Sequence, residues 1–310
     1  MVVPGLNRTV RCCSFCFPLP PQRVDEFVHL LDQGGRYIAA CERCGALLRQ
    51  EAMPDIHPSA IISPQAEIGR DVEIGPYCVI GEGVVLGDGC RLQNHITLQG
   101  PVRIGAHNTF YSSSSIGQQS QDLKYKGEPT FLEIGSHNVF REFCTVNRGT
   151  LPGSKTIIGS HSHFLAYCHI AHDCIVGDHV IFSNNGTLAG HVIVDDHAIL
   201  GGLTAVHQFC RIGSHAITGG CSKIVQDVAP FTIADGNPAE TRGVNLTGLQ
   251  RAGFSDADIR ALKEAYKNVF LRKLNTADAL AALEKSEYAA NPHVVKLVNF
   301  IRASERGITK

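Results

Sequence analysis

Large apolar residues recur at every sixth position over more than half of this chain. The row begins with Ile56, Ile62 and Ile68 and is still in phase at Ile224. Of its 29 positions, 25 hold a large apolar residue, and the following residue is often glycine. An α-helix repeats every 3.6 residues and an alternating strand every two, so neither explains this period. Six-residue repeats are typical of parallel β-helices. The pattern therefore predicts a mainly β fold, in which three flat faces close each coil of about 18 residues and the coils stack as parallel strands.

Two interruptions of the six-residue row predict loops that leave the coil. Asp122 and Glu128 break the row in one place and Pro152 breaks it in another, yet the phase resumes after each. We therefore predict a loop insertion at 117–133 and a shorter excursion at 149–156. Loops on a repeat scaffold are common binding elements, and a solvated insertion without function is an equally weighted alternative.

The row ends at Ile224, and the chain beyond it has a different pattern. Residues 229–245 predict an irregular cap over the last coil. Ser255, an N-cap residue followed by acidic residues, then begins the first of three predicted helices. The domain prediction is accordingly an N-terminal extension at 1–52, a β-helix at 53–230, and an irregular cap with a small C-terminal α-helical domain at 231–310.

Charge and composition argue against several functional classes. The formal net charge of −1 gives no reason to expect a nucleic-acid partner, and no apolar run approaches the roughly 18 residues of a transmembrane segment. Five of the 12 cysteines lie before residue 53, and the other seven are scattered singly. Scattered cysteines are typical of a reducing compartment, so we expect a cytoplasmic protein without a disulfide framework.

Histidines are concentrated in the stretch HIAHDC (169–174) and downstream of it. His172, His191 and His207 each follow an inward-facing repeat residue by one to three positions, and both gaps between them are close to the length of one coil. The three imidazoles are therefore predicted to lie on neighbouring coils near one edge, with His169 beside them. The structural alternative is that they are polar corner residues, because the chain contains 15 histidines.

Three kinds of function fit such a row of imidazoles. The first is a metal site, as in the carbonic anhydrases built on hexapeptide repeats. The second is acyl transfer, in which a histidine removes the proton of a hydroxyl, and the third is a β-helix that binds without catalysing. Asp173, directly after His172, favours acyl transfer by orienting the ring, although a carboxylate can equally support a metal-bound histidine.

Five motifs, in order, resemble one known family. They are QDLKYKGEPT (121–130), HIAHDC (169–174), NNGTLAGHV (184–192), GGLTAVHQFC (201–210) and GVNLTGLQRAGFS (243–255). The family is the UDP-N-acetylglucosamine O-acyltransferases of lipid A biosynthesis, and the resemblance covers residues 56–310. It implies a left-handed parallel β-helix and a homotrimer with active sites between adjacent subunits. It also implies transfer of a 3-hydroxyacyl chain from an acyl carrier protein thioester to the 3-hydroxyl of UDP-N-acetylglucosamine, without a cofactor or a metal in the β-helix.

The same resemblance implies roles for individual residues. His172 becomes the general base, Asp173 its orienting carboxylate, and the Gly190 backbone N–H the donor to the thioester oxyanion. Gly220 lies where side-chain bulk sets acyl length, and a glycine there implies room for a longer chain. Substrate contacts are implied for Gln121, Asp122, Lys124, His169, His191, His207, Gln208, Asn245 and Arg251.

Some positions depart from the family, and one relative remains an alternative. Ala252, Pro238 and Asn147 stand where the family often has arginine, histidine and histidine, so peripheral contacts are expected to differ. The alternative is the N-acyltransferase of the same pathway, which acts on a UDP-amino sugar and shares the β-helix. That enzyme is expected to carry an N-terminal uridine-binding domain, and the segment before Met53 is too short for one.

Residues 1–52 lie outside the resemblance. Cys13 and Cys16, followed by Cys41 and Cys44, form a CxxC…CxxC pair that predicts a structural zinc ribbon. One rival is a targeting presequence, because three arginines precede the first acidic residue, and it would make the location organellar. Another is that Met53 is the functional start, which would make the segment an untranslated or disordered extension.

Overall fold

The computed structural model describes residues 27–31, 37–41, 47–49 and 54–310. Two units compose the chain, Met1–Met53 and Pro54–Lys310. In the first unit, β1 (Phe27–Leu31), β2 (Tyr37–Cys41) and β3 (Leu47–Arg49) form an antiparallel sheet in that order. Cys13, Cys16 and Cys44 lie outside the described residues, and only the backbone of Cys41 is described. The zinc ribbon therefore stays a prediction.

The second unit begins with a parallel β-helix whose three faces are three sheets of short parallel strands. The first face contains β4 (Asp55–Ile56), β7 (Glu73–Ile74), β10 (Arg91–Leu92), β13 (Thr109–Phe110), β16 (Val139–Phe140), β19 (His163–Phe164), β22 (Ile181–Phe182), β25 (Ile199–Leu200) and β28 (Ile217–Thr218). The second face contains β5 (Ile61–Ile62), β8 (Val79–Ile80), β11 (Thr97–Leu98), β14 (Ser115–Gln118), β17 (Thr145–Asn147), β20 (His169–Ile170), β23 (Thr187–Leu188), β26 (Ala205–Val206) and β29 (Lys223–Ile224). The third face contains β6 (Glu67–Ile68), β9 (Val84–Leu86), β12 (Val102–Ile104), β15 (Phe131–Ile134), β18 (Lys155–Ile158), β21 (Ile175–Val176), β24 (Ile193–Val194) and β27 (Arg211–Ile212).

The predicted six-residue row is the core of this helix. From Ile74 onward its apolar members are buried, and the residue before each of them faces outward. Phe110, Phe140 and Phe164 stack inside the prism with centroids 5.0 and 4.7 Å apart, and Phe182 meets Phe164 edge-on at 5.1 Å. The hexapeptide prediction is confirmed.

The row keeps its phase across the interruptions because each one adds a multiple of six residues. Leu92 pairs with Phe110, 18 positions on, whereas Phe110 pairs with Phe140, 30 positions on. Val146 pairs with Ile170, 24 positions on. The excursions are a long loop (119–130) and a short loop (148–154), and both leave the coil between the second and third faces. The long loop is narrower than the predicted 117–133, because β14 and β15 extend into that range.

The predicted irregular cap is instead a β-hairpin. Strands β30 (Thr232–Gly236) and β31 (Ala239–Val244) pair antiparallel, and β30 extends the first face by pairing with β28. Thr232 and Ala234 are buried while Ile233 and Asp235 are more exposed, so the chain has changed to a period of two. A search tuned to a period of six misses this segment.

The chain ends in a small helical layer. Helix α1 (Leu246–Arg251) was not predicted, whereas α2 (Asp256–Tyr266), α3 (Thr276–Glu284) and α4 (Pro292–Arg302) were. A π-helical turn (Lys267–Leu271) extends α2. The Ser255 hydroxyl accepts a hydrogen bond from the Asp258 N–H at 3.1 Å, as its N-cap prediction requires. Among the described residues, no helix has both the length and the apolar character to cross a membrane.

One edge of the prism carries a column of imidazoles that the sequence analysis did not identify. We call it the ladder edge, and it consists of the turns from the third face to the first. Its rings are those of His107, His137, His161, His179, His197 and His215, each with a left-handed backbone. Successive rings stack with centroids 4.6–5.0 Å apart. All but His215 are exposed.

Candidate active site

A cleft of about 490 Å³ lies along the edge where the second face turns into the third, which we call the site edge. Second-face strands and turns of four successive coils supply one wall, and the long loop supplies another. Seven of the predicted site residues line the cleft together: Gln121, Asp122, His169, His172, Gly190, His207 and Gln208. The predicted positions of the histidines are confirmed, because histidines that are nearly one coil apart in sequence lie on neighbouring coils along this edge.

His172 is buried beside Asp173 in a defined orientation. Its Nδ1 lies 2.8 Å from Asp173 Oδ2, and because a carboxylate only accepts, Nδ1 carries the hydrogen of this bond. The Nε2 atom then presents a lone pair, and its closest acidic neighbour is Asp122 Oδ2 at 4.0 Å. The ring is therefore placed to accept a proton from a group bound in the cleft.

The Asp173 carboxylate stays ionised despite being largely buried. Burial by itself raises its pKa, but the Ser154 hydroxyl, the His172 ring and Thr150 act against burial and hold the pKa below its ordinary value. The Thr150 N–H donates to both carboxylate oxygens, at 3.3 and 3.1 Å. The turn is fixed from the other side by the Asp173 N–H, which donates to Thr156 Oγ1 at 2.8 Å. A negative charge is thus maintained next to the imidazole.

Gly190 lies against the face of the His172 ring. A Cβ atom at this position would overlap the Cε1 and Nε2 atoms of that ring, so only glycine allows the imidazole to occupy its place. The backbone hydrogen bonds among residues 54–310 do not use the Gly190 N–H, which therefore remains able to donate into the cleft. The sequence resemblance pointed to the N–H alone, and the structure adds the steric reason.

Two further histidines adjoin this pair. The His191 ring meets His172 edge-on at 5.2 Å, stacks on Phe209 at 4.6 Å, and places Nε2 3.8 Å from Asp173 Oδ2. The Nδ1 of His169 lies 2.7 Å from Thr145 Oγ1, and burial lowers the pKa of His169, with nearby His172 adding to the effect. His169 is therefore neutral at pH 7.

The other predicted contacts divide into near and distant groups. Lys124 follows Asp122 on the long loop, and its N–H donates to Asp122 Oδ1 at 2.8 Å. Asn245 lies outside the cleft, where its side chain caps α1 and donates to the His215 carbonyl at 2.9 Å. Arg251 ends α1 and is exposed. A Cβ added at Gly220 would meet only a backbone carbonyl of the preceding coil, at 3.5 Å, so there is room for a small side chain.

Several residues that line the cleft or support Asp173 were missed by sequence reasoning. Lys223 and Thr187 line the cleft, each at the outward position of a second-face strand. Both residues could have been predicted from the sequence, because they occupy outward positions on, or directly next to, the coils that carry His172, His191 and His207. Thr150 and Ser154 were missed because they lie on the short loop, where no repeat predicts which side chain returns to the coil.

His172, Asp173 and His191 also satisfy a simple distance test for a metal site. One donor atom from each lies within 4.8 Å of the others. An ion at this point would have to replace the hydrogen bond between His172 Nδ1 and Asp173 Oδ2. The arrangement is already complete as an imidazole held by a carboxylate, so it fits a proton-transfer pair better than a set of convergent metal ligands.

Family models match both parts of this unit. A model described as bacterial transferase hexapeptide (six repeats) matches residues 155–190, which include His172 and Gly190. A model described as UDP-N-acetylglucosamine O-acyltransferase, domain 2, matches residues 227–309. A third, the GMPPB C-terminal domain, matches residues 56–124. The fold and the site therefore define a transferase of the hexapeptide-repeat class.

Relatives narrow this class to one family. An acyl-[acyl-carrier-protein]–UDP-N-acetylglucosamine O-acyltransferase from Akkermansia muciniphila is 53% identical over 82% of this chain and 99% of its own length. The LpxA structure from Acinetobacter baumannii has a TM-score of 0.80 at 46% identity, with 82% and 99% of the two chains covered. The Arabidopsis UDP-N-acetylglucosamine acyltransferase structure has a TM-score of 0.75 at 40% identity, with 82% and 100% covered. This chain belongs to the UDP-N-acetylglucosamine O-acyltransferase family, and its fold is the left-handed parallel β-helix.

Proposed function

We propose that this chain transfers a 3-hydroxyacyl group from acyl carrier protein to the 3-hydroxyl of UDP-N-acetylglucosamine, the first step of lipid A biosynthesis. The observation that carries the proposal is the His172–Asp173 pair, which faces a cleft on a chain whose relatives bear this enzyme name. A hydroxyl is a poor nucleophile until a base removes its proton, and a neutral imidazole with a free Nε2 is suited to that task.

The proton path follows from the geometry. Nε2 of His172 takes the proton of the sugar 3-hydroxyl as its oxygen bonds to the thioester carbon. The resulting imidazolium is stabilised by Asp173, 2.8 Å from Nδ1. When the carbon–sulfur bond breaks, the imidazolium returns the proton to the departing thiolate. His172 therefore ends the cycle neutral, and the reaction needs no further proton donor.

Charge on the thioester oxygen needs a donor as the bond forms. The Gly190 N–H at the cleft wall is the group we assign to this oxyanion. Because the Gly190 backbone also borders the His172 ring, the base and the donor occupy adjoining positions. Such closeness is what an attack on one carbonyl carbon requires.

Acceptor and donor contacts are assigned to the surrounding residues. Asp122, Gln121 and Lys124 approach from the long loop and are proposed to hold the sugar and its phosphates. His169, His191, His207 and Gln208 are proposed to line the path of the sugar and the acyl chain. Arg251, presented by the α1 helix that Asn245 caps, is proposed to meet the acyl donor or the nucleotide phosphates. Gly220 is proposed to leave space for the acyl chain.

A homotrimer is proposed as the working assembly, with Arg251 serving a neighbouring subunit's cleft. The edge where the first face turns into the second exposes Tyr77, Phe143, Tyr167 and Leu203, each of them about half exposed or more. A row of exposed large apolar side chains along one edge favours association between copies. Native mass spectrometry tests this, and a monomer at working concentration would contradict it.

A cytoplasmic location is proposed on the state of the cysteines. Within residues 54–310 all seven cysteines are free, and only Cys221 is exposed. Unpaired thiols persist where the compartment is reducing.

Product analysis tests the proposed function. The full chain is mixed with 3-hydroxyacyl carrier proteins of several chain lengths and either UDP-N-acetylglucosamine or its 3-amino analogue. We expect an O-acylated UDP-sugar by mass spectrometry, with a preference for one acyl length. Transfer to the amine alone would support the N-acyltransferase alternative, and no transfer at any length would contradict acyl transfer.

A further inference from the structure

The two loops that interrupt the coils meet in a buried hydrogen-bonded contact. Ser120 of the long loop and Thr150 of the short loop are both buried, and their hydroxyl oxygens lie 2.6 Å apart. Asn147, just before the short loop, adds a second link through its Nδ2, which donates to the Gln119 carbonyl at 2.9 Å. Neither hydroxyl lines the cleft.

Each end of this contact is connected to a carboxylate that faces His172. The Ser120 hydroxyl accepts from the Asp122 N–H at 3.1 Å, and Asp122 Oδ2 lies 4.0 Å from His172 Nε2. The Thr150 N–H donates to the Asp173 carboxylate, whose Oδ2 lies 2.8 Å from His172 Nδ1. The imidazole is therefore bracketed by one carboxylate at each nitrogen, and the loops that place them share one contact.

We propose that the Ser120–Thr150 hydroxyl pair is a positioning device that sets where Asp122 stands relative to Nε2 of His172. This inference rests on the proposed function, and it assigns the placement of the acceptor sugar to two residues that do not line the cleft beside His172. Asp173 is held by its own turn and by the Thr150 backbone, so its place does not depend on the Ser120 hydroxyl. Asp122 has no such support from the coil, because it lies on the long loop.

The physical reason for the device is the length of the loop. Phe110 pairs with Phe140, 30 positions on, so this coil carries a long insertion. A long loop can place Asp122 over a wide range unless a contact fixes it. An Nε2–Oδ2 distance of 4.0 Å leaves both atoms within hydrogen-bond reach of one bound sugar. A shift of about 1 Å in Asp122 would lose that simultaneous reach and weaken acceptor binding.

Two single variants remove the contact while the Thr150 N–H stays on Asp173. Ser120→Ala deletes one hydroxyl, and Thr150→Val deletes the other while it keeps the backbone N–H and the branched shape. Thr150→Ser differs from Thr150→Val in that it keeps a hydroxyl at this position. The matched control is Ser162→Ala, which deletes a buried hydroxyl at the ladder edge, where it accepts from the Val180 N–H at 2.9 Å.

The kinetic signature separates positioning from general stability. In Ser120→Ala, we expect the KM for UDP-N-acetylglucosamine to rise about tenfold, while kcat changes by less than about twofold. Thr150→Val should raise the KM by a similar factor and should also lower kcat, because the Thr150 side chain helps to hold the pKa of Asp173 below its ordinary value. The KM of the double variant should be no higher than that of either single variant, because both substitutions remove the same contact. Thr150→Ser should restore the KM. Effects that multiply in the double variant, or an unchanged KM in both singles, would overturn the proposal.

Hydrogen exchange of the full chain gives a readout that does not need turnover. We expect faster exchange across residues 119–125 in Ser120→Ala and Thr150→Val and no change there in Ser162→Ala. Unchanged exchange in both loop variants would overturn the coupling of the two loops. A wild-type chain without transfer would instead overturn the proposed function, and the exchange measurement would still decide whether the loops are coupled.

Discussion

Two edges of one prism carry histidines at coil spacing, and they differ in almost everything else. On the ladder edge, six imidazoles stack face to face and five are exposed. On the site edge, His172 is buried, meets His191 edge-on, and has Asp173 at Nδ1. On both edges, the repeat determines where the histidines lie. Burial, a carboxylate and a loop covering the edge supply the chemistry on one of them.

The difference arises from what the neighbouring residues provide. The αL position of the turn holds histidine on the ladder edge, whereas on the site edge Asp173, His191 and Phe209 occupy it in successive coils. Asp173 in that position can turn toward the preceding His172 and also receive the Thr150 N–H from the short loop. The ladder edge has no loop insertion, because both excursions leave the coil between the second and third faces.

The largest expected effect comes from removing the negative charge of Asp173 beside His172 on the site edge. Asp173→Asn should lower kcat by about 10²–10⁴-fold, because the amide cannot stabilise the imidazolium and can favour the wrong tautomer. Asp178→Asn is the matched control, since Asp178 accepts from the Ser160 N–H on the ladder edge. Steady-state kinetics on both variants checks this. Equal rates for Asp173→Asn and the wild type would remove Asp173 from the mechanism.

A smaller effect is expected from crowding the base. Gly190→Ala should lower kcat by about 10²-fold, because the new Cβ overlaps the His172 ring and displaces Nε2. Gly202→Ala is the control, because the atom closest to its Cβ would be the Asn184 carbonyl at 3.5 Å, an ordinary contact. Circular dichroism melting of both variants shows whether the fold is kept. A fully active, well-folded Gly190→Ala chain would argue against this placement of the ring.

The ladder edge should respond to pH through stability and not through catalysis. Burial lowers the pKa of His215 from 6.5 to about 4, and nearby cationic groups, His197 first, add to the effect. Between these values the unfolded chain binds a proton that the folded chain does not, so the free energy of unfolding falls as pH drops from 6.5 to 4. His215→Phe should reduce this loss by on the order of 2 kcal/mol, since the ring is only partly shielded from solvent.

Denaturant titrations at both pH values measure that difference. Phenylalanine suits the site because the His215 ring already stacks on Phe231 and meets Phe254 edge-on. An identical pH slope in the variant and the wild type would show that His215 is not the group responsible.

The smallest expected effect concerns metal. Excess chelator should change the transfer rate by less than about twofold, because a carboxylate-paired imidazole acts as a base without an ion. Added Zn²⁺ is the useful counterpart, since His172, Asp173 and His191 lie close enough to bind one. Loss of activity on chelation, restored by the ion, would favour the metal interpretation of the same three residues.

The sequence predicts the coil and its register because the signal is periodic and local. One apolar residue in six locates the inward side chains, and the same count brings His172, His191 and His207 to one edge. Applied to every histidine, that count would also have revealed the ladder, whose members recur once in every coil from His107 to His215. The loops obscured it because they lengthen the first two of these coils.

Other features were beyond this reasoning because they have no period of six. The β30–β31 hairpin alternates every two residues, and α1 is a single short helix of 6 residues. The contact between Ser120 and Thr150 joins positions 30 residues apart through two irregular loops. Such contacts depend on how the loops fold back on the prism, which local pattern does not determine.

The most direct test of the account compares one histidine from each edge. The full chain, His172→Ala and His197→Ala are assayed side by side with 3-hydroxyacyl carrier protein and UDP-N-acetylglucosamine. The account predicts that kcat/KM falls about 10²–10⁴-fold in His172→Ala and stays within about twofold of wild type in His197→Ala. A His172→Ala chain with near wild-type kcat/KM, or an equal loss in both variants, would contradict it.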